Sequence, residues 1–462
     1  MRILRTLSSF IFLVIAFTAC KGIKKQGSTS DTKYTAETVL DSNWFVSSNI
    51  YEVNLRQYTS EGTIKAFEKS LPRLKEMGVE ILWFMPITPI GIEGRKETEK
   101  DMGSYYAVRN YKAFNEDYGT MDDWKNFVKK AHEMGFKVIT DWVANHSAPD
   151  NPWVKNFPEF YAKDSTGKLI APFDWTDVRK LDYRNPVLRD SMIAAMTYWV
   201  TETGIDGFRC DVAAEVPTDF WKECIVALEA VRPDIFMLAE AEKPELHEVG
   251  FDASYAWSSM HAMLELYKGK MKLKQFDSLM NANISTHPAN APRMFFTTNH
   301  DENSWNGTEY EKYGNAAKAF AVFSQTMGHS IPLIYSGQEL PNKRRLKFFV
   351  KDSIQWTGNY EMAPFYKTLL LLRKSNAALC TDASYKKLST SKPTAVFAFL
   401  REKAGRKALV VINFSAGPQE FQVNDAAIKG EPMNVFMGVN EKISDIHTFS
   451  VAPWGYLVYD YQ

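Results

Sequence analysis

The sequence predicts an α/β fold in which eight parallel strands, each followed by a helix, close into a (β/α)8 TIM barrel. Three observations lead to this prediction. From about residue 45, short apolar runs alternate with amphipathic stretches of helical length. Gly78 and Gly135 each stand between a helical stretch and a strand, where a helix C-terminus favours glycine. After about residue 376, strand-like runs separated by turn residues predict a C-terminal antiparallel β-sandwich domain.

Eight short apolar runs are the candidate strands of the barrel, and they cover residues 50–55, 79–85, 137–141, 207–211, 235–240, 251–254, 294–299 and 332–335. Amphipathic stretches predict helices over residues 64–77, 122–134, 187–203, 218–231 and 316–327. Segment 147–184 is too long for an ordinary connection, so we expect a small excursion domain there. The barrel domain then covers residues 44–375, with 147–184 inserted, and the C-terminal domain covers 376–462.

The N-terminus has the features of a secretory signal. Two arginines among the first five residues precede an apolar run over residues 10–17, which is too short to span a bilayer. The run ends in Thr18-Ala19-Cys20, which resembles a bacterial lipoprotein signal; an ordinary signal peptide with a chance cysteine is the alternative. We expect a signal peptide over 1–19, lipid on Cys20, a linker over 20–43, and a lipid-anchored protein of the cell envelope, periplasmic or at the outer membrane.

The composition argues against nucleic acid as a partner and against a structural role for the cysteines. Lys and Arg together number 55, as do Asp and Glu, so the formal net charge is zero. The basic surplus typical of nucleic-acid binding is lacking, and we expect no such partner. Beyond Cys20 the chain has Cys210, Cys224 and Cys380. Their odd number and spacing fit neither a metal site nor a disulfide framework, so we expect buried, small apolar side chains.

Polar side chains are concentrated where the candidate strands end. In a (β/α)8 barrel these ends meet on one rim, where catalytic groups are found. A single strand-terminal Asp is often only a helix N-cap, but the joint occurrence of these groups on one rim indicates an active site. The groups are Asp141, Asn145 and His146 at the third strand, Arg209 and Asp211 at the fourth, Glu240 at the fifth, and His300 and Asp301 at the seventh.

Arg209 and Asp211 form a charge pair inside an apolar run. Side chains two residues apart lie on the same side of a strand. An inward-facing charge pair is costly unless it is matched and used. We therefore expect Arg209 to lie beside Asp211, to keep that carboxylate ionised and to lower its pKa.

The segments that carry these groups resemble motifs of the α-amylase family of glycoside hydrolases, and the resemblance extends over nearly the whole mature chain. The matching segments are DWVANH (141–146), GFRCD (207–211), LAEA (238–241) and TTNHD (297–301), with flanking matches at 78–91, 103–120, 331–340 and 452–461. The resemblance implies a retaining hydrolase that cleaves α-1,4-glucosidic bonds in starch-derived α-glucans or maltooligosaccharides.

The resemblance also implies roles for individual residues. Asp211 matches the nucleophile, and Glu240 matches the general acid and base, which must be protonated before the reaction begins. Asp301 matches the carboxylate that binds sugar hydroxyls and stabilises the transition state. These three residues are the predicted catalytic set.

Four further residues are predicted to bind substrate by the same resemblance. His146 and His300 match positions that hydrogen-bond the sugar at the cleavage site. Tyr106 matches the aromatic platform beneath that sugar, and Arg209 matches the partner of the nucleophile.

The sequence departs from the family pattern at several positions. Asn110 replaces a usual Asp, and Ala214-Glu215 replace the Lys-His pair that many α-amylases carry after the nucleophile. The Asn110 position is mostly structural, but the missing Lys-His pair puts endo-action on long starch in doubt. Cyclomaltodextrinase, α-glucosidase or transglycosylase activity is the alternative, and a non-catalytic α-glucan-binding protein is a third hypothesis.

The calcium site common in the family has altered ligands here. Asn145 matches one ligand, but Lys180 and Glu215 stand at two other ligand positions. Calcium requires about six to eight oxygen ligands. Replacing a carboxylate ligand by the ammonium of a lysine opposes the binding of this divalent cation. We expect no bound metal or cofactor, with the Lys180 ammonium free to donate hydrogen bonds to Asn145 instead.

Overall fold

The computed structural model of the chain describes residues 43–95, 100–289 and 291–462. Its strands up to residue 340, in chain order, are β1 (Ile50–Val53), β2 (Ile81–Phe84), β3 (Lys137–Trp142), β4 (His146–Ser147), β5 (Arg179–Lys180), β6 (Gly207–Cys210), β7 (Phe236–Ala239), β8 (Ala253–Tyr255), β9 (Arg293–Phe295) and β10 (Ser330–Tyr335). All except β4 and β5 form a closed barrel of parallel strands in the order β1-β10-β9-β8-β7-β6-β3-β2. The predicted (β/α)8 barrel is confirmed.

Helices follow the barrel strands, and one further short helix (Pro152–Asn156) lies in the excursion between β4 and β5. They are α1 (Leu55–Tyr58), α2 (Ile64–Glu68), α3 (Leu71–Met77), α4 (Met121–Glu133), α5 (Pro152–Asn156), α6 (Pro186–Thr203), α7 (Thr218–Val231), α8 (Glu245–Glu248), α9 (Trp257–Tyr267), α10 (Leu273–Thr286), α11 (Glu309–Tyr313), α12 (Ala317–Thr326) and α13 (Ala363–Ser375). Among the described residues, none of the helices has the length and apolar character needed to cross a bilayer.

The one helix expected over residues 64–77 is instead two, α2 and α3. Pro72 stands in the first turn of α3. Since proline has no N–H to donate to a carbonyl four residues earlier, it is tolerated only where a helix begins. The second helix ends as predicted, because Gly78 has a φ of 96° and its N–H caps the preceding carbonyls.

The excursion after β3 is held by a short antiparallel ladder. In it β4 pairs with β5, with His146 opposite Lys180. The backbone N–H of Leu181 donates to the carbonyl of Asn145 at 3.0 Å. This ladder brings residues 174–178 over the carboxyl end of the barrel, where they form one wall of the cleft described below.

The C-terminal part consists of two antiparallel sheets. Its strands are β11 (Ser384–Leu388), β12 (Val396–Lys403), β13 (Arg406–Asn413), β14 (Gln419–Gln422), β15 (Met433–Asn434), β16 (Val439–Asn440), β17 (Thr448–Val451) and β18 (Tyr456–Tyr461). One sheet has the order β11-β12-β13-β18-β15-β16, and β14 pairs with β17 in the other. Leu400 and Val411 of the first sheet share a core with Phe421 and Phe449 of the second.

The central strands β12 and β13 of the large sheet are buried on both faces. Along β12, Ala398 and Leu400 face the core of the sandwich. Phe397 and Phe399 belong to the barrel core instead, and the Phe397 ring lies 5.8 Å from that of Phe323 in α12. The alternation follows from the period of two in a strand. One continuous core therefore joins the barrel to the C-terminal sheet.

The described cysteines, Cys210, Cys224 and Cys380, are buried and free, as their spacing predicts. Cys20 and the predicted signal peptide lie outside the described residues.

Candidate active site

A cavity of about 590 Å³ opens among the loops that follow β2, β3, β6, β7, β9 and β10. Five of the seven predicted site residues line it, and these are Tyr106, His146, Asp211, Glu240 and Asp301. The other two, Arg209 and His300, are at most 1% exposed and lie behind the lining residues. The structure thus brings the predicted groups together, with two of them as a supporting layer.

Arg209 is the centre of this layer. Its Nη1 donates to Asp141 Oδ1 at 2.8 Å and to Asp211 Oδ1 at 3.0 Å. Its Nη2 lies 2.8 Å from Glu240 Oε2 as an ion pair, and its Nε donates to the Tyr255 hydroxyl at 3.0 Å. One guanidinium therefore contacts three carboxylates from neighbouring strands, which is why a charge pair stands on an inward-facing strand.

The turn after β6 orients both reacting carboxylates. Asp211 follows the strand directly, and its N–H donates to the Trp142 carbonyl at 2.9 Å. Val212 has a φ of 37°, which is strained for a β-branched residue. In this conformation the Val212 N–H donates to Glu240 Oε2 at 2.8 Å. Backbone strain at Val212 thus links the loop of Asp211 to the Glu240 carboxylate.

The charge balance around Asp211 differs from the sequence-based expectation. Burial, followed by the negative charge of Glu240, raises the pKa of Asp211 well above its usual range. Arg209 lowers that pKa, as predicted, but the opposing effects are larger, so the predicted net lowering was wrong. Burial likewise raises the pKa of Asp141 to about 6, against the effect of Arg209. Burial therefore disfavours a negative charge on Asp211 and on Asp141, and the Arg209 guanidinium is the group that offsets part of this effect.

His300 is enclosed by acidic and aromatic groups. Its Nδ1 lies 2.5 Å from Glu52 Oε1, and its Nε2 lies 2.6 Å from the Tyr106 hydroxyl and 3.4 Å from Asp301 Oδ2. Burial opposes a charge on His300, but the negative charges of Asp301 and Glu52 outweigh it and raise the pKa of His300 to about 9. The ring is therefore an imidazolium at neutral pH, with both nitrogens acting as donors.

His146 has the opposite protonation state. Burial lowers the pKa of His146 to about 3, so its ring is neutral at physiological pH. The Trp175 ring meets it edge-on at 5.4 Å, and Asn145 Nδ2 lies 3.3 Å from His146 Nδ1. A neutral ring at the cavity wall is suited to exchanging hydrogen bonds with sugar hydroxyls.

Aromatic side chains extend the site outward from its polar centre. Tyr106 stacks on His300 at 5.7 Å and on Phe348 at 6.5 Å. The ring of Trp305, which is 53% exposed, lies 5.4 Å from that of Phe348. Trp175 also lines the cavity. Such faces are suited to packing against the apolar faces of sugar rings.

Sequence reasoning missed Glu52, Trp175, Trp305 and Phe348. A signal existed for Glu52, because a carboxylate interrupts the apolar run IYEV (50–53), as Arg209 interrupts its own strand. Trp305 follows Asp301 by four residues, but its contact with Phe348 depends on two loops that meet only in the fold.

The region of the family calcium site has no acidic cluster. Lys180 pairs with His146 through the backbone, but its ammonium makes no hydrogen bond to Asn145 or to any other described residue. The described ranges contain no group of three or more His, Cys, Asp or Glu side chains placed to hold a metal ion. The suggested bond from Lys180 is therefore not found, and the lack of a metal stays a prediction.

A family model for the α-amylase catalytic domain matches residues 28–168 and 162–357 of the chain. The chain belongs to the α-amylase family.

Individual relatives agree with this assignment. An α-amylase of Haloarcula japonica is 25% identical over 394 residues, covering 81% of this chain and 56% of the relative. A cyclomaltodextrinase of Bacillus sp. is 25% identical over 382 residues, covering 76% of this chain and 65% of the relative. The crystal structure of a noncanonic maltogenic α-amylase from Thermotoga neapolitana matches with a TM-score of 0.82 at 29% identity, covering 90% of this chain and 99% of that one. The chain thus spans about two thirds or less of the two curated relatives but nearly all of the solved structure.

Proposed function

We propose that the protein hydrolyses α-1,4-glucosidic bonds in starch-derived α-glucans or maltooligosaccharides and retains the anomeric configuration. The contact of Asp211 and Glu240 with the same buried guanidinium carries this proposal. Retaining hydrolysis requires two carboxyl groups about 5–5.5 Å apart, whereas inverting enzymes leave room for a water molecule between them. Asp211 contacts Nη1 of Arg209 and Glu240 contacts Nη2, so the guanidinium favours the shorter separation between the two carboxyl groups.

The reaction proceeds in two displacements. Asp211 attacks the anomeric carbon while Glu240 gives its proton to the glycosidic oxygen, so that the C–O bond breaks and a glycosyl-enzyme forms. Glu240 then takes a proton from water, whose oxygen displaces Asp211 and releases the sugar. Asp301 binds sugar hydroxyls at the cavity surface, and the Arg209 charge balances the carboxylates throughout.

The direct test is hydrolysis of maltoheptaose followed by NMR of the first-formed product. We expect the α-anomer, and Asp211→Asn should release no reducing ends under the same conditions. A first-formed β-anomer would contradict the retaining mechanism. A wild-type protein that is inert on every α-glucan would refute the enzymatic function and leave a binding role.

A second candidate is cyclodextrin hydrolysis, α-glucosidase action or glycosyl transfer at the same site. Ala214 and Glu215, which replace the Lys-His pair of many α-amylases, favour it, as does the similarity to a cyclomaltodextrinase and a maltogenic α-amylase. A product profile over time on starch, maltotriose, cyclodextrin and pullulan distinguishes these activities. Rapid shortening of starch to mixed long fragments would support endo-action.

We also infer that Cys20 carries a lipid that anchors the protein to a membrane of the cell envelope. The basic N-terminus, the short apolar run and the Ala19-Cys20 step support this inference. Wild-type protein should partition with membranes and incorporate a lipid label, and Cys20→Ser should do neither. Membrane partition of Cys20→Ser at the wild-type level would contradict the anchor.

The protein is further proposed to need no calcium. Lys180 occupies the position of an acidic ligand, and its positive charge opposes a divalent cation. Thermal unfolding with EDTA should match unfolding with added calcium. A stoichiometric calcium ion whose removal lowers the midpoint by many degrees would overturn this proposal.

A further inference from the structure

We propose that Glu52, on the first barrel strand, is a positioning residue for His300 that fixes the imidazole so that Nε2 donates toward the substrate side of the site. The proposal rests on the proposed function, because it assigns a role in binding and cleavage of the same substrate. It adds a carboxylate to the site that contacts no substrate itself.

The geometry of Glu52 is that of a buried anchor. Its side chain is fully buried, and Oε1 accepts from His300 Nδ1 at 2.5 Å. The backbone N–H of His300 lies 3.4 Å from the same oxygen. Trp83 lies on the neighbouring strand β2, and its ring meets the imidazole edge-on with 6.0 Å between the ring centroids. Glu52 Oε1 therefore contacts both the imidazole and the backbone N–H of His300, and the Trp83 ring confines the imidazole.

The protonated ring of His300 determines which group donates in each of the hydrogen bonds that lead from it to Tyr106 and Asp141. With both ring nitrogens protonated, Nδ1 donates to Glu52 and Nε2 donates to the Tyr106 hydroxyl. That hydroxyl then donates its own hydrogen to Asp141 Oδ2 at 3.3 Å. Tyr106 and Asp301, the two partners on the Nε2 side, both line the cavity. Fixing Nδ1 on Glu52 thus directs the other N–H toward Tyr106 and Asp301, the two lining groups that lie between His300 and the cavity.

Charged groups face His300 from several elements. The acidic groups are Glu52 on β1, Asp141 on β3, and Asp301, which follows His300 directly in the chain. Arg209 on β6 is positively charged and therefore opposes a positive charge on His300. Together with burial, these groups give His300 a pKa of about 9. Removing the charge of Glu52 removes one of the two acidic partners within 3.5 Å, so the imidazolium should lose its proton at a lower pH.

Packing alone does not explain a carboxylate at this position. A buried carboxylate is costly unless it is paired. Its second oxygen, Glu52 Oε2, has no hydrogen-bond partner among the described residues. The described contacts of the Glu52 carboxylate thus go to His300, which is the reason we assign it to the site rather than to the fold.

The test compares Glu52→Gln and Glu52→Ala with the wild type. Glutamine keeps the shape of the Glu52 side chain and an oxygen acceptor but removes its negative charge. Alanine also removes the acceptor that orients the His300 ring. In pH profiles of kcat/KM on maltoheptaose, we expect the alkaline limb of Glu52→Gln to move down by about one pH unit or more. Glu52→Ala should lose on the order of 100-fold in kcat/KM at neutral pH, because the donor is misplaced.

The matched control is Glu339→Gln. Glu339 is also fully buried, but it accepts from the Tyr51 hydroxyl at 2.6 Å and from Arg73 at 2.8 Å rather than from His300. Its removal should lower thermal stability without moving the alkaline limb. Equal shifts in both variants would mean that Glu52 acts through general stability, which would overturn the proposal.

A second readout is independent of turnover. In protein labelled with ¹⁵N-histidine, the resonances of His300, assigned with His300→Asn, should titrate at lower pH in Glu52→Gln than in the wild type. An unshifted titration together with an unchanged alkaline limb would refute the role of Glu52. An inactive wild type would refute the proposed function, while the NMR titration would still decide whether Glu52 controls His300. If Glu52→Ala does not fold, Glu52→Gln, which keeps the volume, decides the test.

Discussion

The two ends of the barrel each bury arginine side chains, but with different partners. At the carboxyl end, Arg209 contacts carboxylates, which raise its pKa well above the usual range despite its burial. At the amino end, Arg373 donates to the backbone carbonyls of Ser48, Leu379 and Ser330. Arg401 donates to carbonyls that include that of Met327.

The acceptors explain the difference. Backbone carbonyls are neutral, so burial lowers the pKa of Arg373 to about 10 and that of Arg401 to about 9. These two arginines join loops at the amino end of the barrel through neutral acceptors. Arg209 instead holds together acids that repel one another. For these three arginines, neutral acceptors accompany a role in joining loops of the fold, whereas carboxylate acceptors accompany a place in the active site.

The largest expected effect is that of Asp211→Asn on activity. Without the nucleophile, kcat on maltoheptaose should fall on the order of 10⁴-fold or more, because the covalent intermediate cannot form. Reducing-end release by purified protein measures this. Residual activity within tenfold of the wild type would show that Asp211 is not the nucleophile.

Glu240→Gln should lose about 10²–10⁴-fold on maltoheptaose, since no side-chain proton reaches the leaving oxygen. The loss should be smaller on α-glucosyl fluoride, whose leaving group needs no protonation. Parallel kinetics on both substrates measure the difference. Equal losses on the two would argue that Glu240 is not the acid.

At the amino end, Arg373→Met should destabilise the protein by about 3 kcal/mol, because several buried carbonyls lose their donor. Activity per folded molecule should be unchanged. Urea unfolding checks the change in the free energy of unfolding. The control is Arg184→Met, whose side chain is 88% exposed and pairs with Asp182, and which should have almost no effect.

Asp211→Asn should also make the protein more stable at neutral pH. The folded-state pKa of Asp211 is raised, so the folded protein binds this proton more tightly than the unfolded chain does. Its carboxylate therefore lowers stability as the pH rises above the usual Asp range, and this cost is absent near pH 3. Unfolding midpoints of wild type and variant should differ at pH 7 and converge near pH 3. A constant difference would contradict the raised pKa.

The smallest effect is expected at the aromatic wall. Trp305→Ala should raise KM for maltoheptaose by about fivefold and leave kcat unchanged, because an aromatic face contributes about 1 kcal/mol to packing. Trp305→Phe, which keeps a ring, should restore most of the affinity. A loss of kcat in the alanine variant would instead indicate that Trp305 holds Asp301 in place.

Periodic features of the fold were predictable, whereas contacts between loops were not. The helix over 218–231 and the strand beginning at Gly207 match their predicted bounds to within one residue. The helix buries one face at the 3.6-residue period, and the strand is buried throughout and therefore forms a short apolar run. Arg209 was found because a charge in an apolar strand requires a partner. Glu52 gave the same signal on β1, but its partner His300 is 248 residues away.

The protonation of the site could be predicted only in part. The sequence shows Arg209 beside Asp211 but not the degree of burial or the approach of Glu240, and these two decide the net direction. The contact between Trp305 and Phe348 could not be predicted either, since the two residues lie in separate loops, after β9 and after β10. Distances across loops depend on the whole fold, so local patterns do not determine them.

The alternation along β12 and β13 has a consequence for modular engineering. Phe397 and Val410 complete the barrel core, while their neighbours Ala398 and Leu409 complete the sandwich. A chain cut after Ser375 would leave aromatic side chains of the barrel, such as Phe323, facing water. The C-terminal unit is therefore not an interchangeable cassette, and a chimera that replaces it must carry over both faces of the shared sheet to yield a barrel that remains soluble.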